Sequence, residues 1–240
     1  MKWIGFPKTI FTRTNNGDLI LSLETSTKVC SVALSDGSDV IAYREDRSNR
    51  YSHAELLNVY IDEVMTGYLY GELKAVAVSE GPGSYTGLRI GVSAAKGLAF
   101  GLNIPIIAVP TLESMTLFVS VPEDSLLIPM IDARRMEVFC AGYDSHRKSV
   151  FPTRAEILTE ASFPEFDQFE KGYFFGDGAE KCKPVLEPKG LTFIPEVYGS
   201  ANQMAIIAAE KYANRDFVDL AYFEPYYLKD FVAGKPKKAK

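Results

Sequence analysis

The chain has 240 residues, 47% of them hydrophobic and 24% charged, with a formal net charge of −5 at pH 7. This is a globular balance in a chain long enough to bury its own core, and the acidic sum excludes a global positive field that would steer it onto nucleic acid. No apolar run approaches the roughly 20 residues of a membrane span, and Cys30, Cys140 and Cys182 form neither a CxxC pair nor a zinc pattern, so a reducing, cytoplasmic setting is expected.

Residues 1–17 read as an extension that lacks the continuous apolar stretch of a signal peptide. Leu19–Leu23 and Ser31–Leu34 suit buried strands, and the Asp36-Gly37 turn leads into a third, Val40–Arg44, giving a β-meander. Ser52 and Glu55 form a capping-box signal for a helix in which Leu56, Leu57, Tyr60, Ile61, Val64 and Met65 share one broad face; Gly67 ends it. Ala75–Ser79 is a buried strand. A glycine-rich loop, Glu80–Tyr85, leads to a helix ending near Gly101, followed by a strand at Ile104–Val109 and a short helix after Pro110. The second half predicts strands at Leu126–Ile131 and Glu137–Tyr143 around an Asp132–Arg135 turn, with a weaker one near Val150. It continues with a helix from Thr153 capped by Glu156, a strand at Tyr173–Gly176, a short helix and a strand at Leu191–Ile194. Ser200 and Gln203 then signal a last helix reaching about Asn214.

Each half thus predicts strand, strand, strand, helix, strand, helix, strand and a further helix. The doubled βββαβα order with mixed sheets is that of the two-lobed actin-like (ASKHA, ribonuclease H-like) α/β fold. An ordinary doubly wound α/β domain fits poorly, because no helix separates the first three strands. The expected lobes are 18–118 and 119–233, with the C-terminal helix able to pack back on the first lobe. Residues 234–240 form a basic tail.

Glu24, Thr25 and Ser26 close the first strand, where actin-like ATPases hold metal and phosphate; hydroxyls at such a turn also satisfy backbone groups. Gly81 to Gly91 is more specific: Gly81 and Gly83 permit a tight turn, and Ser84 or Thr86 can cap a helix whose N-terminus suits an anion. Gly87, Gly91 and Ala95 recur every four residues and admit either a partner helix or the protein's own sheet. Asp132 opens the second half's equivalent turn, where Arg134 and Arg135 replace the glycines expected of a phosphate loop. They can bind a carboxylate or phosphate, or make an ion pair with Glu137 or a partner. His53 and His146 read as solvated, and there is no GxSxG or HExxH motif.

Leu23–Ser26, Cys30–Leu34, Gly81–Gly91 and Asp132–Phe139, together with Gly176-Asp177-Gly178-Ala179 and Pro225-Tyr226-Tyr227-Leu228, resemble the bacterial TsaB (YeaZ) family over residues 19–231. The resemblance implies a non-catalytic scaffold subunit that pairs with its catalytic paralogue TsaD, with TsaE joining. Together these form N6-threonylcarbamoyladenosine at position 37 of tRNAs that read ANN codons. It further implies a homodimer when alone, tRNA contact only through the complex, and no cofactor of its own, ATP acting at the level of the complex. TsaD holds its metal with an HxxxH pair. The matching stretch here is Thr111-Leu112-Glu113-Ser114-Met115, in which a hydroxyl and a thioether replace the imidazoles, so no metal is expected. The expected partner-binding residues are Leu56, Leu57, Tyr60, Ile61, Val64, Gly87, Gly91 and Ala95. A degenerate nucleotide cleft would comprise Glu24, Thr25, Ser26, Gly83, Ser84, Asp132, Arg134, Gly176 and Gly178. The alternative is an enzyme: an actin-like ATPase or kinase, or a glycoprotease-like hydrolase. A self-associating protein outside tRNA modification is a third reading.

Overall fold

The computed structural model describes residues 17–48 and 53–229; Ser52, the basic tail and all but the last residue of the N-terminal extension lie outside them. Strands β1 (Leu19–Glu24), β2 (Cys30–Asp36) and β3 (Asp39–Asp46) form the antiparallel meander, turned at Gly37. Then come α1 (His53–Val64), β4 (Leu73–Gly81), α2 (Tyr85–Leu102), β5 (Ile106–Pro110) and α3 (Thr111–Thr116). The first sheet runs β3-β2-β1-β4-β5, with β4 parallel to β1 and β5 parallel to β4. The second half supplies β6 (Ser125–Asp132), β7 (Glu137–Tyr143), β8 (Ser149–Ile157), β9 (Lys171–Phe175), α4 (Lys183–Leu186), β10 (Leu191–Ile194) and α5 (Ala201–Ala213). Its sheet, β8-β7-β6-β9-β10, repeats the first in order. This is the two-lobed actin-like arrangement.

Strand alternation gives each sheet two apolar faces. Leu21, Leu23, Val32, Leu34, Val76 and Val78 pack against Leu57, Ile61 and Val64 of α1 and Val92, Ala95 and Ala99 of α2. The intervening Ile20, Ala75, Ala77, Ile107 and Val109 face the other way, onto Met204, Ile207 and Ala208 of α5. In the second sheet, Leu126, Ile128 and Met130 pack with Phe163 and Leu186, while Leu127 and Ile131 pack with Leu112 and Met115 of α3. The last helix of each half therefore covers the other half's sheet.

Three local expectations fail for physical reasons. Thr153 does not open a helix: residues 149–157 form β8, whose Arg154 and Ala155 pair with Cys140 and Phe139 of β7. The guanidinium of Arg154 lies 4.2 Å over Phe151 and reaches Glu165 at 2.8 Å, which fixes the strand's inward face. The second half's first helix is thereby reduced to a single tight turn at Pro164–Gln168. At α5 only half of the capping box forms: Ser200 Oγ accepts the Asn202 N–H at 3.4 Å, while Gln203 Oε1 has no partner among the described residues. His53 is not solvated but 2% exposed, its Nε2 2.8 Å from the Thr27 carbonyl oxygen.

Candidate functional site

A cleft of about 370 Å³ lies between the β1–β2 turn and the β4–α2 loop on one wall and the β6–β7 turn and the β9–α4 loop on the other. Of the expected cleft residues, Ser26, Gly83, Ser84, Asp132 and Arg134 line it. Ser84 caps α2, accepting the Gly87 N–H at 3.3 Å, and its own N–H donates to the Ser26 carbonyl at 2.6 Å. That bond closes the gap between the two loops so tightly that a Cβ on Gly83 would sit 2.3 Å from Ser26 O.

The other expected cleft residues do not line the cleft. Glu24 is fully buried, with Oε1 accepting the Ser26 N–H at 2.6 Å. Burial pushes its carboxyl above the ordinary carboxylate range, and the Ser26 hydroxyl offsets part of the shift. The other carboxyl oxygen points toward Gly199, just ahead of α5, rather than into the cleft. Thr25 is buried against α2. Gly176 and Gly178 are packing glycines: Gly176, at φ +110°, lets the β9–α4 loop pass over β6, where a Cβ would meet Met130 O at 2.0 Å.

Sequence reasoning missed several lining residues: Lys28, Phe139, Asp177, Tyr85, Tyr226, Tyr227 and Lys229. Asp177 stood between the two singled-out glycines. Its Oδ1 accepts the Asp132 N–H at 2.9 Å, and burial raises its carboxyl pKa. Tyr226 and Tyr227 arrive on a segment after α5 that carried no periodic signal. The Tyr226 N–H donates to Glu80 O at 2.7 Å, the Tyr227 ring lies 5.1 Å from Tyr85, and Lys229 pairs with Glu137 across the cleft. Glu137 is therefore Lys229's partner rather than that of the two arginines.

The expected partner-binding residues separate into two groups. Leu57, Ile61, Val64 and Ala95 are core residues, 4% exposed or less. Gly87 and Gly91 are also buried, because α2 rests on Thr25 there: Cβ atoms would lie 2.1 Å from Thr25 O and 2.3 Å from Thr25 Oγ1. These six belong to the protein's own packing. Leu56 and Tyr60 are half-buried, and beside them the outer surface of α1 and α2 adds Val59 (48% exposed), Ile90, Ala94, Leu98 and Phe100 (79% exposed). Gly97 and Gly101 face open space. The groove between the helices is walled by His53, Leu57, Tyr85, Arg89, Ile90 and Ala94.

Among the described residues no three His, Cys, Asp or Glu side chains converge as a metal site. Thr111 and Met115 are fully buried in α3, Met115 within the apolar cluster under the second sheet. No helix among these residues is long and apolar enough to cross a membrane.

A family model described as TsaD, tRNA N6-adenosine threonylcarbamoyltransferase, matches residues 48–236. The tRNA threonylcarbamoyladenosine biosynthesis protein TsaB of Escherichia coli (strain K12) is 29% identical over 225 residues, covering 90% of this chain and 96% of that protein. TsaB of Haemophilus influenzae is 28% identical over 233 residues, with 90% and 95% covered. The solved structure of YeaZ from Pseudomonas aeruginosa superposes with a TM-score of 0.73 at 23% identity, over 87% of this chain and 100% of that one.

Proposed function

The chain belongs to the family of the tRNA N6-adenosine threonylcarbamoyltransferase TsaD, in its TsaB (YeaZ) branch, and we propose that it serves tRNA threonylcarbamoyladenosine biosynthesis as a non-catalytic, cytoplasmic subunit. In this reading α1 and α2 dock onto a TsaD relative and a TsaE relative joins the assembly. The product is the modified adenosine at position 37 of tRNAs that read ANN codons, with ATP used at the level of the complex.

The observation that carries this reading is the outer face of α1 and α2. Leu56, Val59 and Tyr60 fall at i, i+3, i+4, and Ile90, Ala94 and Leu98 at i, i+4, i+8, so the two helices present adjoining apolar stripes. Part-exposed apolar side chains gathered on two neighbouring helices suit an interaction surface. The open backbone at Gly97 and Gly101 lets another helix approach toward the short end of the ~8–10 Å interaxial range. Alone, the chain pairs with a second copy through the same face, so dimer and complex compete. The scaffold role is supported by the closed packing of Thr111 and Met115 and by Glu24, which points away from the cleft.

Val59→Asp and Gly97→Leu change residues outside the core and should leave the monomer folded by circular dichroism. Both should abolish the homodimer in light scattering and the capture of a co-expressed TsaD relative. Retained capture would place the interface elsewhere. ATP turnover, or tRNA modification by the chain alone, would favour the enzyme reading instead.

A further inference from the structure

The β6–β7 hairpin, closed by the Ala133 N–H to Glu137 O at 3.1 Å, turns through Arg134 (φ 69°) and Arg135 (φ 53°). Glycine and asparagine take two consecutive left-handed positions easily; a long side chain takes each at a cost in backbone strain. The backbone bonds of the turn hold it closed, but neither side chain adds to them. Among the described residues neither guanidinium has a hydrogen bond or ion pair, whereas Arg44, Arg47 and Arg154 each hold a glutamate. The carboxylates closest in sequence are already engaged: Asp132 with Lys181 and the Arg134 backbone N–H, and Glu137 with Lys229.

Both arginines are exposed, and Arg134 shares the cleft lining with Lys28 from the opposite turn. Tyrosines 85, 226 and 227 also line the cleft, Tyr226 with 45% of its surface open. Cations that share a cleft with an exposed aromatic ring make a phosphate-and-base arrangement, in which guanidiniums grip phosphodiester oxygens and the ring stacks an unpaired base. An acidic protein partner would need only the cations. The hairpin lies on the second lobe, so docking through α1 and α2 of the first leaves it open.

We infer that Arg134 and Arg135 contact the phosphate backbone of the tRNA in the assembled complex, with Tyr226 placed to stack an unpaired base. The inference rests on the assembly proposed above. The net charge of −5 keeps this contact too weak to hold tRNA alone, so it acts only where a partner adds further contacts.

The test uses the purified complex with a labelled tRNA, read by fluorescence anisotropy over a salt series. Arg134→Ala/Arg135→Ala should weaken binding by about tenfold or more and lower the slope of log affinity against log salt by about 1–2. Arg134→Asn/Arg135→Gly should lose the same affinity while melting at the same temperature or higher, since it relieves the turn; a purely structural hairpin would melt lower. Unchanged tRNA affinity overturns the inference. So does loss of assembly on gel filtration, which would make the hairpin a protein contact, and so does an equal loss of binding for free ATP, which would make it a nucleotide site. A wild-type complex that never assembles removes the functional reading and this inference with it; a complex that binds tRNA indifferently to the arginines removes only the inference.

Discussion

Glu24 closes the first strand yet turns its carboxyl inward. Its carboxyl is fully buried, with one oxygen committed to the Ser26 N–H. Burial raises its pKa above the ordinary 4.5. Below pH 4.5 the group is protonated folded and unfolded alike, so stability is fully present there. As pH rises, ionisation favours the unfolded chain, and stability is lost up to the folded pKa. Glu24→Gln keeps the acceptor and removes the charge, so it should flatten this decline. Melting temperatures should show variant minus wild type growing as pH rises above 4.5, until the folded carboxyl ionises. A constant difference would mean that Glu24 is ionised in the fold. Glycines of α2 give a second contrast. Gly91→Ala pushes a methyl to 2.3 Å from Thr25 Oγ1 and should cost about 1–3 kcal/mol, whereas Gly97→Ala meets open space and should gain up to about 1 kcal/mol. Urea denaturation of the two variants measures both, and equal effects would contradict the packing described.

At the scale of elements, the N-terminus of α5 is tied to the edge of the first sheet. Ser200 Oγ lies 2.9 Å from Glu45 Oε2 and 2.7 Å from Tyr43 OH on β3, besides capping its own helix. Ser200→Ala should cost about 1–2 kcal/mol, the upper end of a cap. A double-mutant cycle with Tyr43→Phe should show a coupling of about 0.5 kcal/mol or more, and additivity would remove the tie. Elements of this kind mark where sequence reading stops. Buried strands and α2 were legible because alternation, the Ser84 cap and the glycine-rich turn are local signals. The apolar stripe of α1 was legible too, but a stripe does not say what covers it: Leu57 and Ile61 meet the protein's own sheet, while Val59 meets solvent. Thr153 and Glu156 imitate a capping box because those residue types also suit a strand edge, and only the pairing with β7 decides between them. In the cleft, the β1–β2 and β6–β7 turns were legible by analogy with the phosphate turns of actin-like enzymes. Tyr226 and Tyr227 come from a segment without periodicity and are placed by the bond to Glu80 and the ring of Tyr85.

The whole molecule is bound together by an exchange of helices. Residues of α5, which close the sequence of the second half, bury Ile20, Ala75, Ala77, Ile107 and Val109 of the first sheet, and α3 of the first half buries Leu127 and Ile131 of the second. Neither sheet has both faces covered by its own half of the chain. Opening one lobe would therefore strip the other of an apolar cover, at about 25 cal/mol for every Å² newly exposed. Two lobes joined only by a linker would melt separately. Here heat unfolding should be one transition, with the calorimetric enthalpy equal to the van't Hoff enthalpy. Met204, fully buried in α5, provides the sharper test. Met204→Asp places a carboxylate against the first sheet and should cost several kcal/mol. Hydrogen exchange should then speed up in β1 and β4, which α5 covers, and also in β6 and β9, which it does not, because the loss spreads through α3 packed beneath the second sheet. Protection lost in the first sheet alone, or two resolved calorimetric peaks, would show that the lobes fold as independent units.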